Sequence, residues 1–77
     1  MQKARRRVRR IEGVCERLND AMYKKGVSGY RMARDLRIDY HTVHRITHGD
    51  AALTEWQLAR ICPYLGISAD WLLGIQK

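Results

Sequence analysis

Ser28-Gly29-Tyr30-Arg31-Met32-Ala33-Arg34-Asp35-Leu36-Arg37-Ile38-Asp39-Tyr40-His41-Thr42-Val43-His44-Arg45-Ile46-Thr47-His48-Gly49 is the stretch on which the fold turns. Ser28 is a good N-cap, and the residues after it predict a helix through Leu36 with Met32, Ala33 and Leu36 on one face. Arg37 and Ile38 leave room only for a sharp redirection. Asp39 then restarts the chain, because its carboxylate can accept the unpaired backbone N–H groups of a first turn. Gly49 supplies the stop. Between Asp39 and Gly49 a short helix over 40–48 is expected. At about 100° per residue, Val43 and Ile46 mark its inner side. The outer side centres on His41 and His48, is flanked by His44 and Arg45, and is bordered by Tyr40 and Thr47. Such a helix contributes little to a core and presents many hydrogen-bonding groups. Where the two helices cross, Ala33 gives the small side chain that close approach needs.

The flanking sequence reads as scaffold. Ala4, Val8, Ile11, Cys15, Leu18 and Met22 recur at spacings of four and three, with Val14 and Ala21 beside them, as in one amphipathic helix. Gly13 is its weak point, so the helix either begins near Ile11 or runs back through the arginines. Lys24, Lys25 and Gly26 end it. Thr54 and Gln57 form a capping box, with Leu53 and Leu58 at the staple positions. Leu58, Ile61, Cys62 and Leu65 predict the next buried stripe. Pro63 predicts a kink or an end near Cys62, and Gly66 closes the segment. Ser68 caps a last short helix, Ala69 to Leu73, before Gly74. The loop Gly49 to Leu53 is too short for a lid.

Seventy-seven residues make one domain with a thin core and no room for a walled catalytic cleft. The formal net charge is +7, and six of the fifteen Lys/Arg lie within residues 1–10, which hold no acid. The remaining chain carries nine Lys/Arg against eight Asp/Glu, close to neutrality. The excess is therefore an N-terminal arm, suited to a polyanion, and alternatively a solvated tail. The charged N-terminus is unlike a signal peptide, and no run reaches the roughly 20 apolar residues of a membrane span. Cys15 and Cys62 lie far apart among apolar residues and read as small buried hydrophobes in a reducing compartment, so a cytoplasmic location is expected.

The span Val27 to Asp39, continuing through Val43, Ile46 and Gly49, resembles the phage-repressor (lambda-repressor-like, Xre/Cro) helix-turn-helix family. Apolar residues at 32, 36, 38, 43 and 46 with Ala33 carry the likeness. Leu65-Gly66-Ile67-Ser68 and Asp70-Trp71-Leu72-Leu73-Gly74 extend it, so that it covers roughly residues 14–74. The resemblance implies an all-α fold, a compact five-helix DNA-binding domain over 11–77 preceded by a basic extension over 1–10. It implies a transcriptional regulator that binds double-stranded DNA as a homodimer, without cofactor or catalysis. The chain departs from the family pattern at three places. Arg37 stands where glycine is usual in the turn, Gly29 stands where glutamine often opens the second helix, and Asp50 replaces a basic or amide residue near phosphate.

The same resemblance implies that helix 40–48 enters the major groove. Arg45 can then bind guanine O6 and N7 bidentately, and His41 and His44 can donate to the same atoms. Thr42 and Tyr40 can touch a thymine methyl or a phosphate. Phosphate contacts are expected from the N–H groups of Gly29 and Tyr30, from Arg31 and His48, and from Arg5, Arg6 and Arg7 in the arm. The arm's apolar positions allow a different role, pairing with a second subunit. His41, His44 and His48 could also offer imidazoles to a transition metal. No acidic or thiolate residue but Asp39 lies beside them in sequence, so no metal site is expected. The rival reading is an antitoxin-like or anti-repressor module that binds a protein, with Trp56 or Trp71 as anchor. Otherwise both tryptophans cover the edges of a thin core, which is the expectation.

Overall fold

Each helix after the first opens on a side chain that takes one of its unpaired backbone N–H groups. Ser28 Oγ accepts from the Arg31 N–H at 3.0 Å, and the Asp39 carboxylate from that of Thr42 at 3.3 Å. Thr54 and Gln57 cap each other reciprocally at 3.1 and 2.9 Å, the expected capping box. Ser68 Oγ accepts from the Trp71 N–H at 3.0 Å. The computed structural model describes residues 13–75, so the arm assigned to residues 1–10, with Arg5, Arg6 and Arg7, lies outside the described residues. Within them the helices are α1 (Val14–Lys25), α2 (Gly29–Leu36), α3 (Tyr40–Thr47), α4 (Glu55–Leu65) and α5 (Ala69–Leu73). No strand occurs among the described residues, and the all-α, five-helix expectation holds.

The helices end by a recurring closure, in which the residue after a left-handed position donates back five residues. Val27 bonds to Met22, Ile38 to Ala33, Asp50 to Arg45, Ile67 to Cys62 and Ile75 to Asp70, at 2.8–3.0 Å. Four of the left-handed positions are glycines. The fifth is Arg37, with φ 58° and ψ 43°, so the departure noted in the sequence is a real backbone strain.

Leu18, Met32, Val43, Ile61 and Leu72, one from each helix, are fully buried in a single core cluster. Met22, Ala33, Leu36, Ile38, Ile46, Cys62 and Leu65 complete most of it. Ala33 is buried in the same cluster, and α2 packs on α3. Leu53 and Leu58 are half-buried and pack on the cluster's edge rather than within it.

Four expectations are corrected. Gly13 takes φ 89°, a left-handed conformation that breaks a continuous α-helix, so α1 begins at Val14 rather than near Ile11 or further back. Pro63 neither ends nor replaces the last turn of α4, which runs to Leu65. A proline this close to the end removes a single bond, the one to the Ala59 carbonyl, and Ala59 lies on the exposed side where water can replace it. Cys15 is half-buried, because its thiol reaches out to the end of α3 and not into the core. Trp56 is 56% exposed with the Arg60 guanidinium 5.1 Å from its ring, whereas Trp71 is half-buried against the core as expected.

Candidate nucleic-acid interface

The sequence makes α3 two-faced, and the structure fixes how that helix is held. Val43 and Ile46 are buried, and they seat α3 against the core. Thr47, expected at the border, turns inward instead. Its hydroxyl donates within its own helix, with the Val43 carbonyl at 2.9 Å and the His44 carbonyl at 3.1 Å, which satisfies the polar atom and lets the methyl pack. The helix accordingly ends at Thr47, one residue before the expected His48.

The two ends of α3 are satisfied differently, the first by its own cap and the second from α1. Asp39 caps the first turn. At the other end the Thr47 carbonyl, unpaired within the helix, accepts from Asn19 Nδ2 at 2.7 Å and from the Cys15 thiol at 3.0 Å, both on α1. Asn19 Nδ2 also donates to the Cys15 carbonyl at 2.9 Å, so both amide hydrogens are engaged. A side chain whose donors are spent has none left for a phosphate. Asn19 therefore positions α3 and does not read a ligand. Nothing in the sequence marks this contact, since it joins residues 28 apart.

Five of the site residues expected on α3 face outward together. Tyr40, His41, His44, Arg45 and His48 are exposed, while Thr42 is half-buried beside its cap. Arg45 has no partner among the described residues, so its guanidinium is available. The helix also carries an aromatic row that was not foreseen. Tyr30 on α2 meets Tyr40 edge to face at 6.0 Å, Tyr40 lies 6.0 Å from His44, and His44 stacks on His48 at 3.9 Å and 17°. His41 stands beside the row, 6.2 Å from Tyr40. The signal was present in the sequence as rings at 40, 44 and 48, which share one ridge of a helix.

The expected phosphate contacts divide. Ser28 Oγ takes the Arg31 N–H, which leaves those of Gly29 and Tyr30 without a partner among the described residues at the start of α2. Arg31 and Arg34 both lie near Asp35, at 3.6 and 3.7 Å. Exposed pairs of this kind are weak, so Arg31 is free to swing to a ligand. The stronger contact of Asp35 is the Tyr64 hydroxyl, which donates at 2.6 Å. This bond, helped by the Arg34 and Arg31 charges, holds the Asp35 carboxyl below the ordinary carboxylate range against the opposing effect of its partial burial. Burial and the bond to Asp35 push the Tyr64 hydroxyl up. Arg60 donates to the Leu36 carbonyl at 2.7 Å, so α4 braces the C-terminal end of α2 twice.

No three metal-ligating side chains come together among the described residues. A groove of about 460 Å³ between α1 and the α4–α5 junction carries Lys24, Lys25 and Trp71, and shares no residue with α2 or α3. No helix of the described residues is long and apolar enough to cross a membrane.

No curated protein matches the chain. The family model of the Cro/C1-type helix-turn-helix DNA-binding domain matches residues 17–77, which takes in all five helices except the first turn of α1. The chain belongs to that DNA-binding family.

Proposed function

We propose that the protein is a sequence-specific regulator of transcription, of the phage or prophage repressor type, that binds double-stranded DNA as a homodimer in the cytoplasm. It acts by binding and not by catalysis. One observation carries this reading. The exposed, hydrogen-bonding side of α3 belongs to a helix that is capped at its start by Asp39 and tied to α1 at its end, so its side chains reach a ligand with their geometry already set.

In this reading α3 lies in the major groove with its first turns nearest the base edges. Arg45 binds guanine O6 and N7, worth about 1–3 kcal/mol of discrimination. His41 and His44 donate to guanine or accept from adenine or cytosine amino groups, according to their protonation. Tyr40 and Thr42 sit against a thymine methyl or a phosphate. The free N–H groups of Gly29 and Tyr30, with Arg31 and His48, fix the register on the backbone. Arg5, Arg6 and Arg7 add phosphate contacts from the arm.

The test is selection of bound duplexes from a random pool at moderate salt. An enriched palindrome supports both the specific binding and the dimer. A pool that stays random removes the proposal. A second reading, a protein-binding module of the same fold, draws on the exposed Trp56 and its Arg60 partner. In that case Trp56→Ala abolishes capture of a protein partner and leaves duplex selection untouched.

A further inference from the structure

We propose that His44 and His48 form a two-imidazole site for a late first-row divalent cation such as Cu²⁺, Ni²⁺ or Zn²⁺, and that its occupation competes with DNA. The sequence alone argued against a metal, because no acidic or thiolate residue but Asp39 lies beside the histidines. The structure adds two facts. The rings of His44 and His48 lie parallel, 3.9 Å apart at 17°, on the exposed side of α3. And His48 Nδ1 lies 2.8 Å from the His44 carbonyl.

The second fact sets the chemistry. A carbonyl oxygen can only accept, so Nδ1 of His48 carries the hydrogen and Nε2 of the neutral ring is left with a free lone pair. A ring N–H donated to a backbone carbonyl is the usual support for a metal-binding histidine, since it fixes the tautomer and raises the basicity of the other nitrogen. His48 is thus prepared as an Nε2 ligand before any ion arrives. Two imidazole nitrogens bound at about 2.0–2.1 Å to one tetrahedral ion stand about 3.3 Å apart. Stacked parallel rings aim their lone pairs side by side and not at one point, so the rings, already 3.9 Å apart, must turn about their side-chain bonds to bring both nitrogens onto one ion, with the helix unchanged.

Imidazole selects the ion class. Hard cations such as Mg²⁺ and Ca²⁺ prefer oxygen ligands, whereas Cu²⁺, Ni²⁺ and Zn²⁺ take imidazole. No Cys, Asp or Glu completes a three-residue set among the described residues, so water fills the remaining positions and the ion exchanges freely. The consequence for DNA rests on the function proposed above, in which His44 reads a base and His48 a phosphate. An ion that takes the Nε2 atoms of both rings withdraws these contacts and sets its own hydration shell between α3 and the groove.

The experiment has two parts. Calorimetric titration of the full chain with Cu²⁺, Ni²⁺ and Zn²⁺ in a non-chelating buffer, without DNA, should show one ion per chain, with Cu²⁺ tightest as the Irving–Williams order requires. His44→Ala and His48→Gln should each weaken binding by at least about tenfold, the scale set by loss of even a supporting partner. His41→Ala should leave it in place, and circular dichroism confirms that each variant is folded. Binding that survives both His44→Ala and His48→Gln, or that vanishes with His41→Ala, overturns the site. In the second part, saturating Zn²⁺ should lower affinity for a selected duplex at least tenfold, with recovery on adding a chelator. Unchanged affinity overturns the competition. If no duplex is ever selected, the regulatory reading falls, while the calorimetry still decides the metal site.

Discussion

Arg37 holds a backbone conformation that costs an L-residue about 1–2 kcal/mol, and its exposed side chain has no partner among the described residues to offset it. Glycine relieves the strain but loses about 0.4–1 kcal/mol through a freer unfolded chain. Arg37→Gly should therefore stabilise the domain by about 0.5–1 kcal/mol, read as a higher urea midpoint with unchanged slope. An unmoved or lower midpoint would show that the arginine side chain contributes something in place. The Tyr64 to Asp35 bond gives a prediction with a pH signature. Asp35 has its folded pKa lowered, by the Tyr64 bond above all, so its contribution is present above the unfolded value of about 3.9 and is lost as pH falls through the folded one. Tyr64 has its pKa raised, by burial and then by Asp35, so its contribution is full below about 10 and is lost as pH rises through the raised value. Tyr64→Phe should lower the melting temperature across the neutral range, with the difference from the parent shrinking below the carboxylate range. A difference constant through acid pH would mean that Asp35 is not involved. Arg37 was legible in the sequence through the family resemblance, whose pattern has glycine at that turn position. The Tyr64 bond was not, because it joins residues 29 apart and depends on how α4 lies across α2.

Helix α3 shows at the next scale what the sequence does and does not contain. Its caps, its buried Val43 and Ile46 and its outward His41, His44 and Arg45 follow from local chemistry and a 3.6-residue period, and all were readable. Its fastening to α1 was not, since Asn19 looks like any polar residue on an exposed helix face until Thr47 is placed beside it. The same reason explains Thr47 itself, whose hydroxyl pairs within its own helix and frees the side chain to turn inward. Asn19→Leu keeps the approximate volume and removes both donors, leaving only the weaker Cys15 thiol on the Thr47 carbonyl. It should weaken a selected duplex by about 0.5–1.5 kcal/mol, the net range for one lost hydrogen bond. The decisive measurement is its combination with Arg45→Ala. If Asn19 acts by holding Arg45 over its base, the two losses fall short of additivity by at least about 0.5 kcal/mol, although Asn19 touches no DNA. Additive losses in binding, with only the melting temperature lowered by Asn19→Leu, would reduce it to a packing residue.

Charge is the property of the whole molecule that no single element explains. Six of its fifteen Lys/Arg lie within residues 1–10, while the domain that carries α3 is nearly neutral and departs from its family at Gly29 and Asp50, where backbone contacts are usual. A neutral reader of DNA gains little from phosphates, so the arm is where non-specific affinity would be supplied. Each phosphate neutralised adds about 0.9 to the slope of log affinity against log salt. Deleting residues 1–10 should then reduce that slope by several units and weaken all duplexes nearly alike. Arg45→Ala should do the opposite, relaxing the preference at one base pair while moving the slope by at most about one unit. The apolar positions Ala4, Val8 and Ile11 support a competing role in self-association. The left-handed Gly13 interrupts any continuous helix from there into α1, so such a segment would pair as a separate piece. Sedimentation of the truncated protein without DNA separates the two roles. A lower mass with an unchanged slope makes the arm a subunit contact, and a lower slope with an unchanged mass makes it a phosphate contact. If neither moves, the arm only keeps the protein in solution, and phosphate affinity must come from α2 and His48.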